Sequence, residues 1–249
     1  MLTAERRQVI LTRLERDGKV VASELVDSLG VSEDTVRRDL RELAAGGLIQ
    51  RVHGGALPPA PSAISFAQRL EVAPEAKAHL AEAALPLLEG ANVLLLDGGT
   101  TALELARRLP PDRECTVLTN APPVAAALAA HPRVEVVLIG GKLLKDSQTT
   151  VGAEALAALR HVRADACVLG ICSLHPELGV MATDHDEAHV KRAMIEVSGE
   201  VIALATADKL HTASPWVVAP VSDVTHLVTD ADAELTEPFT RAGVSVVRA

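Results

Sequence analysis

Three apolar stripes of helical period open the chain. Residues 3–16 set Ile10, Leu11 and Leu14 on one face with Val9 beside them, and Gly18 in "RDGKV" stops that helix. "VASELVDSLG" predicts a second, shorter helix, with Ser23 as a cap, Leu25, Val26 and Leu29 inward, and Gly30 at its end. "VSEDTVRRDLRELAAGG" predicts a third, capped by Ser32, with Val36, Leu40 and Leu43 on one side and Gly46-Gly47 as its stop. "LIQRVHGGAL" then turns to a short β-type run around Gly54-Gly55. Two helices joined by a tight glycine turn and followed by a hairpin predict a winged helix-turn-helix over residues 1–57.

Residues 58–75 hold four of the fourteen prolines and few core signals, so a linker is expected there, with one helical turn around Phe66 and Leu70. The pattern changes over residues 76–249. "AHLAEAALPLL" is helical, and "ANVLLLDGG" is a continuous apolar run of the kind a strand buried on both faces requires. Helices are expected at "TTALELARRL", "APPVAAALAAH", "AEALAALRHV" and "DEAHVKRAMIEVS". Strands are expected at "CTVLTN", "VEVVLIGG", "ADACVLGIC", "EVIALATA", "THLVTD" and "VSVV". This alternation predicts an α/β domain with an open, mostly parallel sheet.

Composition narrows the chemistry. Aromatics are confined to Phe66, Phe239 and Trp216, so the core must be aliphatic and ligand recognition must rest on hydrogen bonds and charge. Cys115, Cys167 and Cys172 form no C-x-x-C pair and each lies in an apolar run, which predicts reduced, buried thiols and a cytoplasmic protein. The first residues, "MLTAERRQVILTRLERDGK", are charged throughout and predict neither a signal peptide nor a membrane span. The net charge of −9 is uneven: residues 1–57 hold nine bases and nine acids, leaving 15 bases and 24 acids in the remainder. The acidic total therefore argues against nucleic-acid binding only for the larger part.

In a winged helix-turn-helix the second helix of the motif enters the DNA major groove. At 100° per residue from Val36, Asp34, Arg38 and Arg41 point away from the core, with Thr35 and Arg37 flanking them. An arginine fork bonds guanine O6 and N7 together or clamps phosphate. Ser32, Asp34, Thr35, Arg37, Arg38 and Arg41, with Arg51 and His53 on the wing, are the candidate DNA contacts, although acids near the arginines also suit a merely solvated face.

In the α/β part, ligands sit beyond the carboxyl ends of strands. Asp97 closes one apolar run, Gly98 and Gly99 let the backbone turn, and Thr100 and Thr101 open a helix whose N–H groups suit a phosphate. The same residues also suit a plain turn and cap. Thr119-Asn120 and Gly140-Gly141 end the next strands in a similar way, and Lys209 follows another in "ATADK". G-x-G-x-x-G is missing, so no nicotinamide site and no other cofactor is expected. His185 and His189 stand one helical turn apart, but H-E-x-x-H is not met and no third ligand is evident, so acids favouring a helix start explain "TDHDEAHVKR" better than a metal does.

The chain resembles the DeoR family of bacterial transcription regulators. The resemblance is carried by "ERRQVILTRLERDGKV", "LGVSEDTVRRDLREL" running into "LIQRVHGGA", then "LLLDGGTTALELA", "VLTN", "LIGGKL", "VGAEA", "DEAHVKRAMI" and "ADKL". It implies a sensor domain similar to ribose-5-phosphate isomerase, and a repressor of a sugar or nucleoside catabolic operon that leaves its DNA operator when a phosphorylated sugar binds. It places Asp97, Gly98, Gly99, Thr100 and Thr101 in a phosphate-side loop. It places Thr119, Asn120, Gly140, Gly141 and Gly152 on the cleft rim, and Glu187, Lys191 and Lys209 at the remaining polar positions. Winged modules of this kind imply a homodimer or higher homo-oligomer. The alternative is a sugar-phosphate isomerase or deaminase with an accessory head, in which Asp184, Asp186 or Glu187 would serve as base.

Overall fold

The three inward stripes meet. In the computed structural model, which describes residues 2–61 and 65–249, Ile10, Leu14, Leu25, Val36, Leu40 and Leu43 are buried in one small aliphatic core. They come from α1 (Thr3–Asp17), α2 (Ala22–Leu29) and α3 (Glu33–Ala45), with β1 (Val20–Val21) between the first two. Gly18 and Gly30 end their helices in the left-handed region, at φ of 68° and 63°, where a Cβ is disfavoured. The wing is the hairpin of β2 (Gln50–Val52) and β3 (Gly55–Leu57), and β3 also pairs with β1. A Cβ on Gly55 would lie 1.9 Å from the Val20 carbonyl oxygen, so the wing can be laid against β1 only through a glycine.

One acid in α3 is not on the solvated face. Asp39 is fully buried and accepts hydrogen bonds from Arg6 and Arg7 of α1, the latter at 3.2 Å. Burial works against its charge, but the hydrogen bonds from Arg6 and Arg7 and their positive charges outweigh it and hold the carboxyl below its ordinary value. A carboxyl depressed in the folded state contributes stability above its unfolded pKa of about 3.9 and loses it as pH falls through the folded value. Urea unfolding should therefore show Asp39→Asn less stable than wild type by a constant margin from pH 5 to 8. The margin should shrink below about pH 4; a gap that stayed level into acid would contradict the clamp.

The larger body follows in chain order as α4 (Phe66–Glu71), α5 (Pro74–Ala84), β4 (Val93–Leu96), α6 (Thr100–Arg107), β5 (Cys115–Thr119), α7 (Pro122–Leu128) and β6 (Val134–Leu138). Next come β7 (Lys142–Leu144), β8 (Thr149–Val151), α8 (Ala153–Leu159), β9 (Ala164–Gly170), β10 (Ser173–His175), β11 (Gly179–Ala182) and α9 (His185–Glu196). The chain closes with β12 (Ser198–Leu204), β13 (Trp216–Ala219), β14 (His226–Thr229), α10 (Ala233–Arg241) and β15 (Ser245–Arg248). Seven strands form the main sheet in the order β15-β14-β12-β9-β4-β5-β6, with every pair parallel. Strand alternation divides the apolar run of β4 between two cores. Leu94 and Leu96 join Leu80, Leu105 and Leu128 on one face, and Leu95 joins Leu159, Met194 and Phe239 on the other.

Two small antiparallel pieces, the β7–β8 hairpin and the sheet β10-β11-β13, sit outside that frame. Trp216 on β13 is exposed and meets His185 of α9 edge-on, ring centroids 4.6 Å apart. Cys115 and Cys167 are buried and Cys172 is half-buried; all are free thiols, and burial pushes each one's pKa up. No helix among the described residues is long and apolar enough to cross a membrane.

The proline-rich stretch is held at both described ends, and residues 62–64 of the expected linker lie outside the described residues. Its start continues β3 and docks on the body. Leu57 packs with Met181 and Ala213, the Ala213 N–H donates to the Pro58 carbonyl at 3.0 Å, and the Ala60 N–H donates to the Ala213 carbonyl at 3.1 Å. Its far end is α4, begun by a reciprocal cap between Ser65 and Gln68, with Phe66 buried in the body.

Candidate functional site

Helix α3 presents its outer face to solvent. The Ser32 hydroxyl accepts from the Thr35 N–H at 3.3 Å and lies 2.9 Å from the Thr35 hydroxyl, so both side chains serve first to start the helix. Arg37 pairs with Glu33 at 2.6 Å across one helical turn. Arg38 and Arg41 are exposed and form no ion pair among the described residues, and Asp34 is exposed beside them. Arg51 and His53 are exposed on the wing. The head's arginines thus serve different ends. Arg6 and Arg7 tie α1 to α3, whereas Arg38, Arg41 and Arg51 keep their charge available.

The second site is a cavity of about 390 Å³ at the carboxyl edge of the sheet, where β4, β9 and β12 end. Its floor is built by glycine. A Cβ on Gly98 would lie 2.0 Å from the Thr149 Cγ2, and one on Gly170 would lie 2.2 Å from the Gly98 carbonyl oxygen. Gly170 thus lets the β4 loop close on the end of β9, and Gly98 makes room for Thr149 of β8. Gly99, at φ 129°, leads into α6, whose first residues Thr100 and Thr101 line the cavity with its free N–H groups.

Beneath the floor lies a buried charge cluster. Asp97 accepts hydrogen bonds from the Gly170 N–H at 3.0 Å and from the Lys191 ammonium. Lys191 also donates to the Gly170 carbonyl at 2.7 Å and lies 3.3 Å from Glu187. Burial works against the Lys191 charge, but Asp97 and Glu187 outweigh it and raise its pKa above the ordinary lysine value. Asp97 Oδ1 is buried with no hydrogen-bond partner. Lys209 reaches the cavity from the turn after β12, and burial lowers its pKa, with the charges of Arg69 and Lys191 adding to that effect. An incoming anion would reverse this penalty.

The sequence-predicted residues are only partly brought together. Gly98, Gly99, Thr100, Thr101, Glu187, Lys191 and Lys209 line the cavity, with Asp97 directly behind it. Thr119, Asn120, Gly140, Gly141 and Gly152, expected on the rim, are not among the lining residues. The β7–β8 hairpin lies against that side of the sheet, with Asn120 and Gly141 directly against β8. Asn120 donates to the Thr150 carbonyl at 3.1 Å, and Thr119 accepts from the Ala121 N–H at 3.1 Å. Gly141 makes room for the Val151 carbonyl, Gly140 precedes it in the same connection, and Gly152 starts α8.

Arg69, Lys145, Asp146 and Cys172 also line the cavity, and no sequence pattern marks them out. They come from the proline-rich stretch, the hairpin tip and a strand end, and only the fold collects them. Among the carboxylates considered as a base, Asp184 caps α9 by accepting from the Glu187 N–H at 2.9 Å, and Glu187 is committed to Lys191. His185 and His189 approach to 3.2 Å between Nε2 atoms, but no group of three metal-ligating side chains occurs among the described residues.

Comparison with known proteins agrees with this division. A family model described as the DeoR-like helix-turn-helix domain matches residues 6–60, and one described as the DeoR C terminal sensor domain matches residues 72–231. The HTH-type transcriptional regulator GlpR of Haloferax volcanii is 36% identical, over 99% of this chain and 98% of its own length. The putative aga operon transcriptional repressor of Escherichia coli O157:H7 is 31% identical over 98% of this chain and 93% of its own. The HTH-type transcriptional repressor GlcR of Bacillus subtilis is 31% identical over 92% and 89%. With a helix-turn-helix head, a sensor body and relatives matched over nearly their whole length, the chain belongs to the DeoR family of transcriptional regulators rather than to the sugar-phosphate enzymes.

Proposed function

We propose that the protein represses a sugar or nucleoside catabolic operon from the cytoplasm, gripping its operator through α3 and the wing and letting go when a phosphorylated sugar fills the cavity. One observation carries the effector half. The cavity gathers the start of α6, its two threonines and the Lys209 ammonium around a space in which Lys191 is already neutralised by Asp97 and Glu187. Helix N–H groups and an uncommitted cation together suit a dianion, and polar backbone at the rim suits hydroxyls. The DNA half rests on Arg38, Arg41 and Arg51. One neutral head offers few such contacts, so we infer a second copy of the chain, with two α3 helices about 34 Å apart on one face of the duplex.

Thermal unfolding tests the effector. A pentose or hexose phosphate at about 100 times its Kd should stabilise the protein by roughly 2.7 kcal/mol and raise Tm by several degrees. The unphosphorylated sugar should leave Tm unmoved. Equal shifts from both, or none from any phosphorylated sugar, would remove the phosphate from the account.

A further inference from the structure

We propose that the two described ends of the tether between head and body, Ala60-Pro61 and Arg69, are themselves part of the effector site. Arg69 of α4 would hold the ligand's anionic group from the open side, and occupancy would be read where the tether clasps Ala213. This rests on the cavity being the effector site and adds how that site is regulated.

Ala60, Pro61 and Arg69 all line the cavity. Arg69 donates to the Asp146 carbonyl at 3.0 Å, so α4 is joined to the hairpin tip across the cavity mouth. The Lys77 ammonium donates to the Arg69 and Val72 carbonyls and fixes the end of α4. Lys209 faces the same space from the body. Its carbonyl accepts from the Thr212 hydroxyl at 2.8 Å, and Ala213, the next residue, forms both clasp hydrogen bonds to Pro58 and Ala60. Two of the cavity's cations therefore lie close in sequence to the clasp, Lys209 four residues before Ala213 and Arg69 nine residues after Ala60, and β3 of the wing runs straight into the Pro58–Ala60 side of it. An anion bound between these cations interacts with both stretches of chain at once. A ligand shifts an equilibrium only through such a difference in interaction between two arrangements. Among the described residues the clasp is held by two backbone hydrogen bonds and one small apolar cluster, which makes it a low-cost element to open.

Two variants of the full chain test this. Arg69→Gln should weaken binding of a phosphorylated sugar that shifts wild-type Tm by roughly tenfold to a hundredfold, and Arg69→Lys should restore part of the loss. In Pro59→Cys/Ala213→Cys the clasp can be locked by oxidation and freed by reduction. The duplex is one selected by the unliganded protein from a random pool. The oxidised protein should bind the sugar phosphate but stay on that duplex, and reduction should restore release. If wild type answers to no phosphorylated sugar, the effector reading fails and this inference with it. If wild type answers but Arg69→Gln binds equally well, or the locked protein releases DNA normally, the effector reading stands and the tether's role is overturned.

Discussion

Replacing Lys191 by methionine is expected to destabilise the body by about 3–5 kcal/mol, a large part of the 5–15 kcal/mol that holds a typical domain together. The reason is asymmetric. Lys191 is almost completely buried, and so is Asp97, whose one bonded oxygen depends on Lys191 and the Gly170 N–H. Removing the ammonium leaves a carboxylate in an apolar layer, with Glu187 close by as a second one. Asp97→Asn should cost less, because Glu187 still faces the lysine at 3.3 Å and an amide oxygen can still accept from Gly170. The double variant should recover much of the single loss, since it removes both charges together. Urea midpoints for the four proteins measure this. A Lys191→Met midpoint within error of wild type would show that the pair is not the buttress of the cavity floor.

Substituting Arg38 and Arg41 together by alanine is expected to weaken binding to a selected duplex by about thirtyfold or more, and to lower the slope of log K against log salt by about two per head. Both guanidinium groups are exposed and without an ion pair among the described residues, so the body should keep its stability and its thermal response to sugar phosphates. Arg37→Ala is the contrasting variant. Its charge is engaged by Glu33, so its loss should matter less. If Arg37→Ala hurt more than the double variant, the recognition face would have to be turned by about one residue around α3.

Most of the frame was legible in the chain itself. Period and glycine placement specify α1, α2 and α3, because a 3.6-residue stripe that runs into a left-handed glycine, Gly18, Gly30 or Gly47, has few other uses. The parallel strands were legible because a strand covered on both faces must be apolar, as β4 and residues 166–169 of β9 are. What escaped was short or contradictory. β1 has two residues, and β10 and β11 have three and four, too few for an alternation to register. Helix α10 carries Pro238 inside it, which argues against a helix locally, yet Asp232 caps its start and Phe239 anchors it in the core. Asp39 reads as one more surface acid, and only the packing of α1 on α3 shows it to be interior. The site was half legible for the same reason. Strand ends identify an edge of the sheet, but the sequence does not say that the β7–β8 hairpin occupies part of that edge, or that α4 folds back to complete it.

The scarcity of aromatic rings has a practical side. With one tryptophan and no tyrosine, nearly all of the near-ultraviolet absorption and emission of this chain comes from a single indole. That indole rests on His185, the first residue of the helix that further along carries Glu187 and Lys191 to the cavity. The protein thus holds an unlabelled optical reporter at the outer end of a helix that lines its cavity.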